Sequence, residues 1–293
     1  MKRKVDLVII SDIHLGTYGC HARELSNYLN SIEPGALILN GDFIDFWQFK
    51  KRYFPREHMQ IIHQVLQFAL DGTKVYYLTG NHDDSLRRFS SFVTGSFHLR
   101  DEMVIQLKGE KYWIFHGDIF DASVMYSPWI AKLGAKSYDL LILFNRFMNR
   151  SRERLGRPRL SFAAQVKKSV KKAVKYISDF EQTAIQMAIE KEYDYVVCGH
   201  IHKPQIRRVE TSKGKVTYLN SGDWVENLTA LEYCKGKWVL YEYDDSHYQE
   251  KVQTASASGN SFPEENGGWF QPDSAEQIFH HIVRKVERAQ EKG

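Results

Sequence analysis

Apolar and polar positions along this chain fall into one repeating figure. A short, mostly β-branched and aromatic run ends abruptly in a small residue and a metal-ligating side chain. The figure occurs five times. Residues 5–10 run into Ser11, Asp12, Ile13 and His14, residues 36–39 into Asn40, Gly41 and Asp42, and residues 74–78 into Thr79, Gly80, Asn81, His82 and Asp83. Residues 111–115 run into His116, Gly117 and Asp118, and residues 193–197 into Cys198, Gly199, His200, Ile201 and His202. Such runs read as strands. In a sheet whose strands end at one rim the five tips converge on one point. Converging Asp, Asn and His with nothing bulky between them form a donor set for a pair of divalent cations.

Helical spacing fills the intervals at 23–31 and at 56–69, the latter with Met59, Ile62, Val65, Leu66 and Phe68 as its apolar stripe. Strand and helix alternate through the first 118 residues, which argues for βαβ units and a layered α/β sheet structure. Residues 103–108 and 111–115, joined through Gly109 and Glu110, read as a hairpin. From 122 to 192 the strand pattern lapses. A dense apolar stretch at 138–148 and an Arg-rich connector at 149–160 precede a helix starting near Phe162. Phe162, Val166, Val170, Ala173, Val174 and Ile177 share one face, with Lys167, Lys168, Lys171, Lys172 and Lys175 opposite. This predicts a helical cap insertion standing over the rim. Strands return at 216–219, 228–233 and 238–243 and close a domain spanning 1–246. Residues 247–272, rich in Ser, Gly, Asn and Glu, read as a flexible linker. Asp273 and Glu276 then form a capping box opening a last helix over 273–293, expected to dock on the body.

Composition changes this picture in two places. The chain has 293 residues, 43% hydrophobic and 26% charged, an ordinary globular balance with no run long enough to cross a membrane. Its net charge of +4 is uneven: residues 120–180 carry 13 Lys and Arg against 4 Asp and Glu, so the remainder is net acidic. A cation-rich segment on an acidic body favours an anionic partner such as a phosphate or an acidic lipid surface. The basic helix within it, from Lys167 to Lys175, lacks interleaved aromatics for base stacking, which counts against single-stranded nucleic acid. Cys20, Cys198 and Cys234 share no ligand spacing and are odd in number, which favours a reducing compartment. Met1, Lys2, Arg3 and Lys4 resemble a signal n-region, but the apolar run behind them is short and carries Asp6, so it reads as the first strand. A cytoplasmic location is expected.

In the order D-x-H, G-D, G-N-H-D, H-G and G-H-x-H, these motifs resemble the calcineurin-like metallophosphoesterases, from Asp12 to about Asp223. The resemblance implies a layered αββα sandwich and a dinuclear metal site. Asp12, His14, Asp42 and His202 would hold one ion, and Asp42, Asn81, His116 and His200 the other, with Asp42 bridging. Oxygen donors mixed with imidazoles suit Mn²⁺, Fe or Zn²⁺ better than Ca²⁺, and Mn²⁺ is the expected cofactor. Paired cations lower the pKa of water from about 15.7 toward about 7 and neutralise phosphoryl oxygens. His82, no ligand itself, would face the leaving oxygen; Asn81 flanks it, and Asp83 would orient its ring or else cap a turn. Asp118 would support a ligand histidine or likewise cap a turn. The other histidines match no motif, and His63 is expected in the core or at its boundary.

Within that family the chain is most similar to the UDP-2,3-diacylglucosamine pyrophosphohydrolases of lipid A synthesis and their paralogues. The likeness rests on Gly41, Asp42, Asp45 and Trp47, on His116, Asp118 and Asp121, on Asn220, Asp223 and Trp224, and on the helical insertion. It implies a lipid-linked sugar nucleotide as substrate, acyl chains taken up by the cap, and peripheral contact with the inner face of the cytoplasmic membrane. Asp121, Arg157, Ser161 and Lys167 are candidate substrate contacts. Two departures stand out: His82 where that group typically has Arg, and Gln48 to Arg52 where it has Gly-Asp-Asp. They open a second reading, a phosphodiesterase or phosphatase on a soluble nucleotide or sugar nucleotide. A non-catalytic metal-binding scaffold is the reading from another class, and an intact His82 counts against it.

Overall fold

Strand 1 alternates no polar residues at its end: Val8, Ile9 and Ile10 are all buried, as expected for a strand covered on both faces. The computed structural model describes residues 2–47, 53–120 and 162–248, the side chains of 162–170 and of Lys172 excepted. Around β1 (Arg3–Ile10) lies a seven-stranded mixed sheet containing β2 (Ile32–Asn40), β3 (Lys74–Leu78), β4 (Val93–Thr94), β5 (Phe97–Arg100), β11 (Thr229–Cys234) and β12 (Lys237–Glu242). Its order is β12-β11-β1-β2-β3-β5-β4. Strands β1, β2, β3 and β5 run parallel, so their C-terminal ends share one rim.

A second, five-stranded sheet has the order β6-β7-β8-β10-β9. It comprises β6 (Glu102–Leu107), β7 (Glu110–Phe115), β8 (Tyr195–Cys198), β9 (Gln205–Thr211) and β10 (Gly214–Asn220), with β7, β8 and β10 parallel. The two sheets face each other across Leu7, Ile9, Ile38 and Leu78 on one side and Tyr112, Ile114, Val197 and Leu219 on the other. The expected hairpin of β6 and β7 is present.

Helices α1 (Ala22–Ser31) and α2 (Arg56–Leu70) pack on each other and on β2 and β3. The stripe of α2 is rotated from expectation: His58, Ile61 and Val65 are buried, whereas Met59 and Leu66 are exposed. His63 is exposed as well, neither core nor boundary. On the far side of the second sheet lies α3 (Phe162–Glu190), seated through Tyr176, Phe180, Ala184, Ile185 and Ala188 against Trp113, Phe115, Val196 and Tyr218. Val174, expected on that seam, points to solvent. The layers are therefore helix, sheet, sheet, helix.

Residues 246–248 are helical where a linker was expected to begin at 247. The remaining linker, the last helix, residues 122–161 of the insertion and the loop at 48–52 lie outside the described residues. All three cysteines are free thiols. No helix among the described residues is long and apolar enough to cross a membrane.

Candidate metal centre

The chemistry sits where the parallel strands stop. Asp12 and His14 follow β1, Asp42 follows β2, Asn81 and His82 follow β3, His116 follows β7, and His200 and His202 follow β8. The first two tips are laced together: Asp12 N donates to Gly41 O at 3.1 Å, and Ile13 N and His14 N donate to Asp42 O at 3.0 and 2.9 Å. His200 N donates to Asp12 Oδ2 at 3.0 Å and His82 N to Asp42 Oδ1 at 2.8 Å, so two carboxylates bind the tips of other strands.

This lacing holds the backbone where side-chain-bearing residues seldom go. Asp12, His14, Asp42, His200 and His202 all have φ between +50° and +66°. Each such conformation costs about 1–3 kcal/mol and persists only where neighbours over-determine it. Gly41, at φ +82°, is required for a second reason, because a Cβ there would overlap the His116 ring.

Among the described residues, three groups of ligand atoms come within 4.8 Å of one another: Asp12, His14 and His202; Asp42, His116 and His200; and His14, Asp45 and His82. Asp42 Oδ2 lies 3.8 Å from His14 Nε2 and 3.3 Å from His116 Nε2, between the first two groups. Four buried donor atoms, Asp12 Oδ1, His14 Nε2, Asn81 Oδ1 and His116 Nε2, make no hydrogen bond. A native interior seldom leaves such atoms unsatisfied, and here they are concentrated in one place. Asp12, Asp42, Asp45 and Asp83 are all at most 2% exposed. Buried carboxylates at this density need compensating positive charge. Orphaned Nε2, Oδ1 and carboxylate atoms around concentrated negative charge fit a pair of divalent cations.

The electrostatics of the protein alone point the same way. Burial opposes ionisation of Asp12, and His202, His116 and His14 more than offset it, holding its carboxyl well below the usual range. Burial likewise opposes ionisation of Asp42, where His116 and His14 prevail. His116 moves the opposite way: burial works against its charge, and Asp42 and Asp12 push its pKa well above the ordinary value. A cation entering this site replaces those protons.

The outer contacts set each ring. His116 Nδ1 lies 2.9 Å from the carbonyl of Asn40, which can only accept, so Nδ1 carries the hydrogen and Nε2 faces Asp42. Tyr176 Oη lies 3.0 Å from His200 Nε2. Asp45 Oδ2 stands 3.3 Å from His14 Nδ1 and 2.9 Å from His82 Nδ1. Burial lowers the proton affinity of His82, and Asp45 and Asp42 more than restore it, so its pKa is raised. The Trp47 ring, more than half exposed, lies over the His82 imidazole with centroids 4.1 Å apart and planes tilted by 33°.

These contacts bear on two roles that the sequence left open. Asp83 does not orient His82: its carboxylate accepts from Phe43 N at 2.9 Å, from Tyr77 Oη at 2.6 Å and from Gly80 N, which is the turn-capping alternative. Burial and the charge of Asp42 lift its pKa to about 6. Asp118 pairs with Arg87, while His116 finds its support in Asn40. The carboxylate that meets the His82 ring is Asp45, which the sequence offered only as part of the family likeness, with no role attached. Asp121, Arg157 and Ser161 lie outside the described residues, and Lys167 belongs to α3 without a described side chain.

The chain is 26% identical over 243 residues to UDP-2,3-diacylglucosamine hydrolase of Aliivibrio fischeri (strain MJ11), covering 80% of this chain and 98% of that protein. It is 26% identical over 257 residues to the protein of the same name from Vibrio cholerae serotype O1 (strain ATCC 39315 / El Tor Inaba N16961), covering 82% and 99%. Among solved structures, a novel archaeal phosphodiesterase overlays 80% of the chain, and 98% of its own, at 14% identity and a TM-score of 0.39. Residues 5–204, well over half of the sequence, match the calcineurin-like phosphoesterases, and the chain belongs to that family of metal-dependent phosphoric ester and anhydride hydrolases.

Proposed function

We propose that the protein cleaves the diphosphate of UDP-2,3-diacylglucosamine, releasing UMP and 2,3-diacylglucosamine 1-phosphate, with Mn²⁺ as its metal. The observation carrying this reading is that relatives bearing that name align over nearly their whole length with a chain whose Asp12, His14 and His202, and whose Asp42, His116 and His200, form two groups of ligand-type side chains. Asp12, His14 and His202 would hold one ion, Asn81, His116 and His200 the other, and Asp42, placed between the groups, would serve both. Bound there, the cations supply an activated water and offset charge on the phosphoryl oxygens.

The remaining work belongs to the protein. With Nδ1 turned to Asp45, His82 would present Nε2 to the leaving oxygen and give it a proton. Asp45 would then stabilise the ring in both protonation states by holding its orientation. The cation-rich segment at 120–180 would meet the substrate's diphosphate and an anionic membrane surface, placing the protein at the inner face of the cytoplasmic membrane. Asp121, Arg157, Ser161 and Lys167 would contact the sugar nucleotide there, and the apolar 138–148 stretch would take acyl chains.

One observation favours a second reading, hydrolysis of a soluble nucleotide diester. His82 is a proton donor held by Asp45, where the lipid enzymes typically have a fixed cation. The test compares detergent-dispersed UDP-2,3-diacylglucosamine with bare UDP-sugars and cyclic nucleotides, using the Mn²⁺-loaded protein. Faster turnover of the lipid is expected, abolished in Asp42→Ala together with uptake of both ions. Faster turnover of the bare nucleotides would overturn the lipid reading and leave the phosphoesterase intact.

A further inference from the structure

Among its described side chains, helix α3 meets the metal centre through the Tyr176 hydroxyl. Tyr176 and Phe180 are buried on its inner face, and Tyr176 Oη lies 3.0 Å from His200 Nε2. Phe180 closes the same contact from the next turn. Its ring lies 6.0 Å from the His200 ring between centroids, and a Cβ at Gly117 would come 2.6 Å from its Cζ. Gly117, at φ +130°, thus admits α3 directly against the tip that carries His116.

A neutral imidazole has one N–H and one lone pair, and the partner of one nitrogen decides the role of the other. His116 gives its Nδ1 hydrogen to a carbonyl and turns Nε2 to Asp42. His200 has the opposite arrangement. Its Nε2 faces the tyrosine hydroxyl at 3.0 Å, and with Nε2–H donating to that oxygen the Nδ1 lone pair is the one available to the cluster with Asp42 and His116. We infer that Tyr176 is a positioning residue for His200, fixing its tautomer and ring angle, so that the seating of α3 and cation binding at Asp42, His116 and His200 are one linked equilibrium. The inference rests on reading that cluster as a metal site. Linkage runs both ways: if α3 orders the ligand, the bound cation orders α3.

The experiment uses the full chain stripped of metal, as wild type, Tyr176→Phe and Ile185→Val. Each is titrated with Mn²⁺ against a competing chelator, with metal per chain counted. Wild type is expected to bind at two positions. Tyr176→Phe keeps the ring in place and loses the hydroxyl, and one of its two affinities is expected to fall about 10- to 100-fold, the usual effect of removing a ligand's supporting partner. Ile185→Val loosens the same face of α3 without touching that hydroxyl, and is expected to lower the melting temperature while weakening that affinity far less than Tyr176→Phe does. In wild type, Mn²⁺ should slow amide hydrogen exchange around residue 176, and in Tyr176→Phe it should not. Wild-type affinities in Tyr176→Phe, or equal weakening in Ile185→Val, would overturn the positioning role alone. A wild type that takes up no cation would remove the metal reading first, and this inference with it.

Discussion

Asp45 Oδ2 serves two imidazoles at once, at 3.3 Å from His14 and 2.9 Å from His82, and that double contact defines its expected mutant phenotype. Asp45→Asn keeps the shape and removes the charge. His14 loses the partner that fixes its tautomer, so activity or cation affinity should fall about 10- to 100-fold. His82 loses the contact that raises its proton affinity, so the alkaline limb of the pH–rate profile should move to lower pH. A pH–rate profile of unchanged shape in Asp45→Asn would show that His82 acts without it. The residues at the strand tips were legible in the sequence because a strand's end, a glycine and a ligand-type side chain form a local signal. The roles of Asp45 and Tyr176 were not, since one sits in an aperiodic loop and carried no role beyond the likeness, and the other looks like any aromatic on an apolar helix face. The left-handed backbone at Asp12, His14, Asp42, His200 and His202 was equally hidden, being imposed by hydrogen bonds from distant strands.

At the scale of elements, the strands read well and the helix faces less so. β1, β2, β3, β7 and β8 are buried, β-rich runs whose period and composition agree. The helical period located α2 and α3 but not the centre of the buried stripe, because partners decide which of two adjacent apolar columns faces inward. On α2 the centre is His58, whose Nδ1 accepts from Gly16 N at 2.9 Å, a polar contact invisible to a hydrophobic count. On α3 it runs through Phe180 rather than Val174. Phe180 is 1% exposed and fits against the bare backbone of Gly117. Phe180→Ala should therefore cost about 3–5 kcal/mol, the range for buried aromatic truncations. Chemical denaturation of the metal-free protein would measure it. A loss under about 1 kcal/mol would mean that α3 is not held by this seam.

Taken as a whole, the molecule stores like charges at one rim, and protons and cations are rival means of tolerating them. In the metal-stripped protein, Asp12, Asp42 and Asp45 have lowered pKa values. Their contribution to stability is present above the unfolded carboxyl value of about 3.9 and is lost as pH falls through the native values. His116 and His82 have raised values, so theirs is present below the unfolded imidazole value of about 6.5 and is lost as pH rises through the native ones. Asp83, lifted to about 6, adds to the alkaline loss, because its favoured neutral form disappears as pH climbs from about 3.9 through that value. The stripped protein should thus be most stable in mild acid and weaken above about pH 6.5. Mn²⁺ is expected to reverse the alkaline loss, since it would replace the protons that are leaving and stabilise by about 2.7 kcal/mol at a hundredfold excess over its dissociation constant. At pH 5.5 the same ion must displace bound protons and gains less. Melting curves with and without Mn²⁺ at pH 5.5 and pH 8 should show a larger rise at pH 8. An equal rise at both would mean that the ion binds away from these histidines, because only a site that exchanges protons for metal makes the gain depend on pH.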